Sequence, residues 1–408
     1  MSDMLAAQPD RAPATFTTDM FRAAWAVTAV FMLSNAPTPL YVVWQRTLGF
    51  SSGTLTVIFA LYIAGLLGTL MVAGQLSDRL GRRAVLLPGL LAALVACVLF
   101  ATASSIAMLA IARLLTGIAV GVTVSAGMAS VGDLGGVQRR RQAAFLASVA
   151  MVLGAGLGPL LAGGIAQAFT HPVGPAFAIE FLVLLSAFVI TVRLPLTRPG
   201  RASHGTRLRL PSIPQEHRRH VLSGIAVFAP GITATSFVLA LGPSLLARLL
   251  DVRSPLLAGG MACAMFAVAT AVQFVVRSWP VRAIFATGVS ATVAAMATLI
   301  FVVHASSVPL LLVAALLAGI GQGLGQLGGL TLISLHVSDT RRAEANAVMN
   351  MGGYLPAGLL AVSTGYAIDF WGLSKGIVMF AIALAISALV FGAIVLRDQS
   401  PRVAVESS

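Results

Sequence analysis

Two ionisable side chains stand inside long apolar stretches of this chain. Arg113 and Glu180 lie at a similar distance from the ends of their stretches. An arginine inside a membrane costs about 2.5–3.5 kcal/mol on insertion scales, so such residues usually face a cavity and are paired. A buried carboxyl group can carry a proton. We expect the two side chains to interact in proton coupling; the alternatives are an arginine that snorkels to the interface and a purely structural glutamate.

A second charged group lies in the segment 74–83, which reads Gly-Gln-Leu-Ser-Asp-Arg-Leu-Gly-Arg-Arg. Its two glycines permit a tight reversal between antiparallel helices. At a membrane surface ion pairs are stronger than in open water. A short basic loop would explain the arginines but not the spacing. The residues that matter here are Gly74, Asp78, Arg79, Gly81, Arg82 and Arg83.

Motifs for catalysis, metal binding or nucleotide hydrolysis are lacking in the sequence. The segment 215–220, Gln-Glu-His-Arg-Arg-His, is spaced wrongly for a zinc helix, and no Walker loop occurs. The segment 123–127, Thr-Val-Ser-Ala-Gly, lacks the first glycine of a nucleophile elbow. We therefore predict no enzyme activity, no cofactor and no metal site, and ATP is not expected to be the direct energy source.

The composition is that of a protein embedded in a lipid bilayer. Hydrophobic residues make up 58% of the 408 and charged residues only 10%, with a mean hydropathy of +0.94; soluble proteins are about 25% charged. This excludes a cytosolic enzyme, a disordered chain and a secreted disulfide scaffold. The net charge of +13 comes from arginines between the apolar stretches, which indicates a topology signal and not nucleic-acid binding.

The apolar stretches predict twelve membrane spans, since about 20 apolar residues cross a bilayer. Most cationic residues fall on one side if the N-terminus is cytoplasmic, which predicts cytoplasmic termini in a bacterial-type inner membrane. The exceptions are Arg46, Arg248, Arg253, Lys375 and the intramembrane Arg113. The predicted spans, numbered 1 to 12, are 21–44, 53–76, 84–103, 107–131, 143–167, 174–194, 220–246, 255–276, 282–303, 308–334, 344–367 and 374–396.

An internal repeat divides the chain into two halves. Residues 114–121 read LLTGIAVG and residues 316–323 read LLAGIGQG, with five matches in eight positions, and both lie in the fourth span of a half. Duplicated halves around a central site are usual in secondary transporters. The predicted parts are a tail 1–20, a six-helix bundle 21–194, a cytoplasmic loop 195–219, a second bundle 220–396 and a tail 397–408.

Span 5 contains a glycine-rich segment, 154–164, that reads Gly-Ala-Gly-Leu-Gly-Pro-Leu-Leu-Ala-Gly-Gly. Gly154 and Gly158 share a helix face and permit close packing. Pro159 removes a backbone donor and favours a bend. Gly163 follows one turn later. Ordinary close packing of helices is the alternative to a functional motif.

The segment 74–83 resembles the loop signature of the major facilitator superfamily at every defining position, and the resemblance extends over the whole chain. It implies an all-α membrane fold of twelve helices in two pseudo-symmetric bundles. It also implies a cytoplasmic gate formed by Asp78 and the arginines, with Asp133 as partner. These residues would switch the conformation and would not bind substrate.

Two further segments resemble motifs of this superfamily. Residues 113–117 are similar to its helix-4 motif, in which the arginine lines the cavity and influences proton transfer, although Thr116 stands where a glutamine is more usual. The span 5 segment resembles the antiporter motif G-x-x-x-G-P-x-x-G-G, with Ala162 replacing one glycine. That motif marks proton-coupled exporters, especially of drugs. Span 1 lacks the carboxylate of several drug exporters, so neutral, zwitterionic or anionic substrates fit Arg113 at least as well as cations.

The resemblance implies a cavity lined by spans 1, 4, 7 and 10. For each polar candidate a plain interhelical hydrogen bond is the alternative to a ligand contact. The candidates are Asn35, Tyr41, Tyr62, Thr233, Thr235, Ser236, Gln322, Gln326, Asn350 and Tyr354.

Together these patterns predict a monomeric secondary transporter that exports a small molecule in exchange for protons by alternating access. A proton-coupled importer or a sugar exporter on the same fold is the nearer alternative. A membrane enzyme or a sensor without transport activity is the remote one.

Overall fold

The structure is a computed structural model that describes residues 13–136, 139–196, 215–338 and 341–398. In these ranges the chain forms twelve helical spans, and two of the predicted boundaries need comment. The first helix begins at Pro13, inside the predicted tail 1–20, and the seventh begins at Gln215, inside the predicted loop 195–219. Residues 197–214 of that loop, and 399–408 of the C-terminal tail, lie outside the described residues.

The spans have the following bounds. Span 1 consists of Pro13–Asn35, a 3₁₀ turn Thr38–Leu40 and Tyr41–Leu48; span 2 of Ser52–Leu70 and Ala73–Leu80; span 3 of Arg82–Ala101; and span 4 of Ile106–Val122, a π-helical turn Thr123–Gly127 and Met128–Gly135. Spans 5 to 8 are Arg140–Ala168, Val173–Arg193, Gln215–Arg248 and Pro255–Val275. Spans 9 to 12 are Val281–Ala305, Val308–His336, Arg342–Trp371 and Leu373–Asp398.

Among the described helices, eleven are long and apolar enough to cross a membrane by length and composition. Span 11 is the exception, and it packs against spans 2, 7 and 12. Its other face is exposed, with Leu359 at 63% and Phe370 at 81%.

Local sequence explains the break in span 1 and the reversal between spans 2 and 3. In span 1 the helix ends at Asn35, just before Pro37 and Pro39, neither of which can donate a helical hydrogen bond. Between spans 2 and 3 the chain reverses at Gly81, whose φ of 94° favours glycine. Gly74 lies inside the helix Ala73–Leu80 with open space around it. The predicted reversal therefore depends on Gly81 and not on Gly74.

The repeated octamer makes equivalent contacts in the two halves. A Cβ atom added to Gly117 would overlap the backbone oxygen of Tyr62 in span 2. At the equivalent position, a Cβ on Gly319 would overlap the backbone oxygen of Met265 in span 8. In both halves the fourth span thus lies directly on the backbone of the second span, as expected for a duplicated bundle.

Two seams join the halves, one between spans 5 and 8 and the other between spans 2 and 11. The glycine-rich segment of span 5 serves two interfaces. Gly154 and Gly158 lie against the backbone of span 1, while a Cβ on Gly163 would overlap the Pro255 oxygen of span 8. On the other side of the seam, a Cβ on Gly259 would overlap the Pro159 oxygen. Backbone packs directly against backbone here.

We predict that Gly259→Ala destabilises the protein, because the new methyl group has no room beside Pro159 and overpacking costs about 1–3 kcal/mol. The measurement is the thermal unfolding temperature of the purified protein in detergent. Gly260→Ala is the matched control, since nothing lies within 4 Å of a Cβ there. Equal effects of the two substitutions would contradict this account of the seam.

Candidate functional site

A cavity lies between the two halves, near the middle of the bundle. Its volume, including the part that is open to solvent, is about 880 Å³. Spans 1, 2, 5, 7, 8, 10 and 11 contribute to it. Among the described residues that line it there is no Asp, Glu, Lys, Arg or His. The cavity is therefore polar in places but carries no charge of its own.

The two halves present different chemistry to the cavity. The first half contributes the rings of Phe31, Phe59 and Tyr62. The second half adds two rings, Phe266 and Tyr354, but supplies most of the hydrogen-bonding groups. These amides and hydroxyls are Thr235, Ser236, Thr270, Gln273, Gln322 and Gln326.

Seven of the polar candidates from the sequence line this cavity: Asn35, Tyr62, Thr235, Ser236, Gln322, Gln326 and Tyr354. The other three are not among its lining residues in this structure. Tyr41 is fully buried beside Arg113. Thr233 is buried and donates to the Ala229 backbone oxygen at 2.7 Å, and Asn350 donates to the Asn346 oxygen at 2.9 Å.

The expectation that spans 1, 4, 7 and 10 line the cavity also needs correction. Span 4 supplies none of the described lining residues, while spans 2, 5, 8 and 11 supply several. Sequence reasoning missed Thr270 and Gln273 in span 8. The signal was present, because these two polar residues are three apart on one face of an otherwise apolar span.

Arg113 is enclosed by aromatic rings and does not line the cavity, contrary to what the resemblance implied. It is 1% exposed, donates from Nε to the Tyr41 hydroxyl, and donates from Nη1 to the Ser34 backbone oxygen at 2.7 Å. Its guanidinium carbon lies 5.7 Å from the ring centre of Phe59 and 5.9 Å from that of Tyr62. Both rings line the cavity, so Arg113 lies directly behind its wall.

The predicted direct pair between Arg113 and Glu180 is absent from the described contacts, so that hypothesis is wrong for this conformation. Glu180 is completely buried, and neither carboxyl oxygen has a hydrogen-bond partner among the described groups. The physical reason is a layer of rings. Arg113 packs against Phe100, which stacks on Phe177 at 5.0 Å, one turn before Glu180 in span 6.

Charged side chains meet at one end of the bundle, which we call the basic end because the arginine-rich loop 79–83 lies there. Arg82 contacts Asp78 at 2.7 Å and Asp133 at 3.1 Å, and so ties the start of span 3 to spans 2 and 4. Arg79 is half-buried and Arg83 is exposed. The structure thus brings together Asp78, Arg82 and Asp133, all within the first half.

The opposite end, which we call the far end, is held closed by a carboxylate. Asp369 of span 11 accepts hydrogen bonds from the backbone N–H groups of Ser52 at 3.0 Å and Gly53 at 2.8 Å. These groups form the first turn of span 2, where free N–H groups and the helix dipole favour a negative charge. Asp369 therefore caps a helix of the other half. Sequence reasoning missed it because the cap and the helix are more than 300 residues apart.

Further hydrogen bonds join the halves near the far end. Ser244 donates to Gln45 at 3.1 Å, and Ser254 donates to Gln167 at 3.1 Å. The cavity extends the other way, because its lining residue Gln273 is two positions from the end of span 8 at the basic end. These contacts hold the halves together at the far end, and the cavity lining reaches to within two positions of the end of span 8 at the basic end.

Comparison with known proteins identifies the family. The family model described as the Major Facilitator Superfamily matches residues 23–301 and 273–408. The chain belongs to the major facilitator superfamily. Membership makes it a multi-pass membrane transporter with two six-helix halves, as the helices and the repeat indicated.

Solved structures with this fold include transporters of several kinds. The nucleoside transporter NupG matches with a TM-score of 0.70 at 12% identity, covering 93% of this chain and 99% of that one. A bacterial homologue of the human lysosomal transporter Spinster, in an inward-facing and unoccupied conformation, matches at 0.72 and 14%, covering 95% and 97%. A POT peptide transporter matches at 0.72 and 16%, covering 95% and 96%. At such identities the likeness shows the fold alone.

A triacylglyceride transporter from Mycolicibacterium smegmatis (strain ATCC 700084 / mc(2)155) is 31% identical over 116 residues. The match covers 28% of this chain and 21% of the relative. The aligned part is thus about a fifth of the length of that protein.

We predict that Asp369→Ala opens the far end, because a side-chain cap is worth about 0.5–2 kcal/mol. The measurement is maleimide labelling of Ser244→Cys, a buried position between the halves, in a background of Cys97→Ala and Cys263→Ala. Labelling should become about 2- to 30-fold faster, since 1.4 kcal/mol is a factor of ten.

Asp369→Asn keeps one acceptor oxygen and should show a smaller increase in labelling. Asp19→Ala is the control, because Asp19 pairs with Arg22 in its own helix, away from the seams. Unchanged labelling in Asp369→Ala would mean that the cap does not hold the far end closed.

Proposed function

We propose that this protein is a secondary active transporter that exports a small molecule in exchange for protons by alternating access. The observation that carries the proposal is the central cavity, which lies between two halves, is closed at one end and reaches toward the other. Such a cavity can be exposed to each side in turn if the halves rock about it. The gate residues Gly74, Asp78, Arg79, Gly81, Arg82, Arg83 and Asp133 would stabilise the alternate state, closed at the basic end.

Glu180 is the candidate proton carrier. An ionised carboxylate without hydrogen bonds is costly in a buried, apolar setting, so a carboxyl group there is held in its neutral form. Movement that admitted water or a partner would allow the proton to leave. Arg113 would influence the protonation of Glu180 during transport through the aromatic rings that lie between them, and not by direct contact.

Export and location are supported by the pattern of charge and by span 5. Most of the described arginines lie at the basic end, which favours a cytoplasmic position for that end in an inner membrane. The cavity of this conformation then reaches toward the cytoplasm, where an exporter loads. The segment containing Gly154, Gly158, Pro159 and Gly163 resembles the antiporter motif, and it forms contacts with span 1 and across the span 5–8 seam.

The test is proton movement in everted membrane vesicles in which respiration has generated a pH gradient. Cationic, neutral and anionic compounds are added in turn, and triolein dispersions are included because of the name of the mycobacterial relative. A compound that collapses part of the gradient only when the protein is present would support antiport. If no compound does so, while counterflow of sugars or organic acids is observed, transport without proton antiport replaces this proposal.

We expect Glu180→Gln to abolish substrate-induced proton movement while leaving the protein folded, because a glutamine is neutral and cannot release a proton. The matched control is Glu344→Gln, which alters an exposed glutamate paired with Arg341. Folding is checked by size-exclusion chromatography in detergent. Full proton movement in Glu180→Gln would remove Glu180 as the carrier.

A further inference from the structure

We propose that the central cavity selects uncharged molecules that combine a flat apolar face with a hydrogen-bond donor, and that Gln322 accepts the hydrogen bond from that donor. This inference rests on the proposed transport function and specifies its substrate class. Three features support it: the charge of the lining, one unsatisfied oxygen and the unequal chemistry of the two halves.

The lining disfavours ions. An ion that leaves water loses its hydration, and the described lining residues offer no opposite charge to replace it. The positive charge behind the wall is shielded from direct contact with the cavity. The guanidinium of Arg113 lies against the rings of Phe59 and Tyr62, on the side away from the cavity. Arg113 is 1% exposed. An anion in the cavity would therefore meet ring surfaces and not the arginine.

One oxygen of the lining lacks a partner. The side-chain oxygen Oε1 of Gln322 is buried and has no hydrogen bond among the described groups. A buried acceptor without a donor costs free energy. Gln322 is part of the cavity lining, so a turn of its amide toward the cavity would let a ligand donor satisfy this oxygen. A substrate with an N–H or O–H group meets this requirement.

The internal repeat shows that the two amides of span 10 have no counterparts in span 4. Gln322 and Gln326 are four residues apart and share a face of span 10. At the repeat offset of 202 their counterparts in span 4 are Val120 and Val124. The polar edge of a substrate therefore faces the second half, and its flat apolar face lies on the rings of the first half.

The experiment measures binding of four naphthalene probes to the purified full-length protein in detergent, with no proton gradient. The probes share one ring system and differ in charge and in donors: 2-naphthamide, N,N-dimethyl-2-naphthamide, 2-naphthoate and 2-naphthamidinium. We expect 2-naphthamide to bind most tightly. The dimethyl amide, which cannot donate, should bind about three- to tenfold more weakly, as expected for one lost hydrogen bond.

Two variants test Gln322 itself. In Gln322→Leu the advantage of 2-naphthamide over its dimethyl form should disappear, while binding of the dimethyl form is retained. In Gln322→Glu the amidinium should gain at least tenfold in affinity, because the new carboxylate pairs with it. Gln142→Leu, a glutamine-to-leucine change at an exposed position of span 5, is the matched control and should preserve the original order of affinities.

Tighter binding of 2-naphthoate or 2-naphthamidinium than of 2-naphthamide to the unaltered protein would overturn the substrate class, as would binding of none of the four. A persistent advantage of 2-naphthamide in Gln322→Leu would overturn the role of Gln322. Binding requires neither protons nor turnover. If the probes bind in the expected order of affinities but no compound moves protons in the vesicle assay, the result would count against antiport and not against this inference.

Discussion

The structure depends on close contacts between helix backbones at positions where glycine has no side chain. At the span 5–8 seam, Gly163 and Gly259 let each helix lie on a carbonyl oxygen of the other. At the span 2–11 seam, Gly365 leaves no room for a Cβ beside Thr56. Since lipid offers no hydrophobic driving force between helices, such close packing is what holds membrane bundles together. The direct contact between the two halves at both seams follows from these glycines.

The buried charges show how the protein keeps ionisable groups inside a membrane without pairing them. Arg113 is satisfied in part by a hydroxyl and a backbone oxygen and is otherwise surrounded by rings, whose faces attract cations. Glu180 has no such compensation among the described groups. The two groups therefore differ in kind: the arginine has hydrogen-bond acceptors and ring faces around it, whereas the carboxyl group of the glutamate has no such partners among the described residues.

The sequence predicted the spans well because hydrophobic length and glycine placement are local properties. The octamer at 114–121 and its repeat also carried real packing information, since Gly117 and Gly319 make equivalent contacts. The residues that line the cavity were harder to predict. Whether Thr233 or Thr235 faces it depends on the rotation of span 7, which packing with neighbours decides. Asp369 and Ser52 could not be joined from sequence, because no local pattern reports a contact between the two halves.

The π-helical turn Thr123–Gly127 gives span 4 a mechanical property of its own. A π-helical turn holds one residue more than an α-helical turn, so it offsets the two ends of the helix by about 100°. Arg113 stands before this turn and Asp133 after it. With a regular α-helix, the side chain of Asp133 would rotate away from Arg82 while Arg113 kept its place among the rings. A single extra residue thus sets the rotation of Asp133, at the basic end of span 4, relative to Arg113 near the centre of the protein.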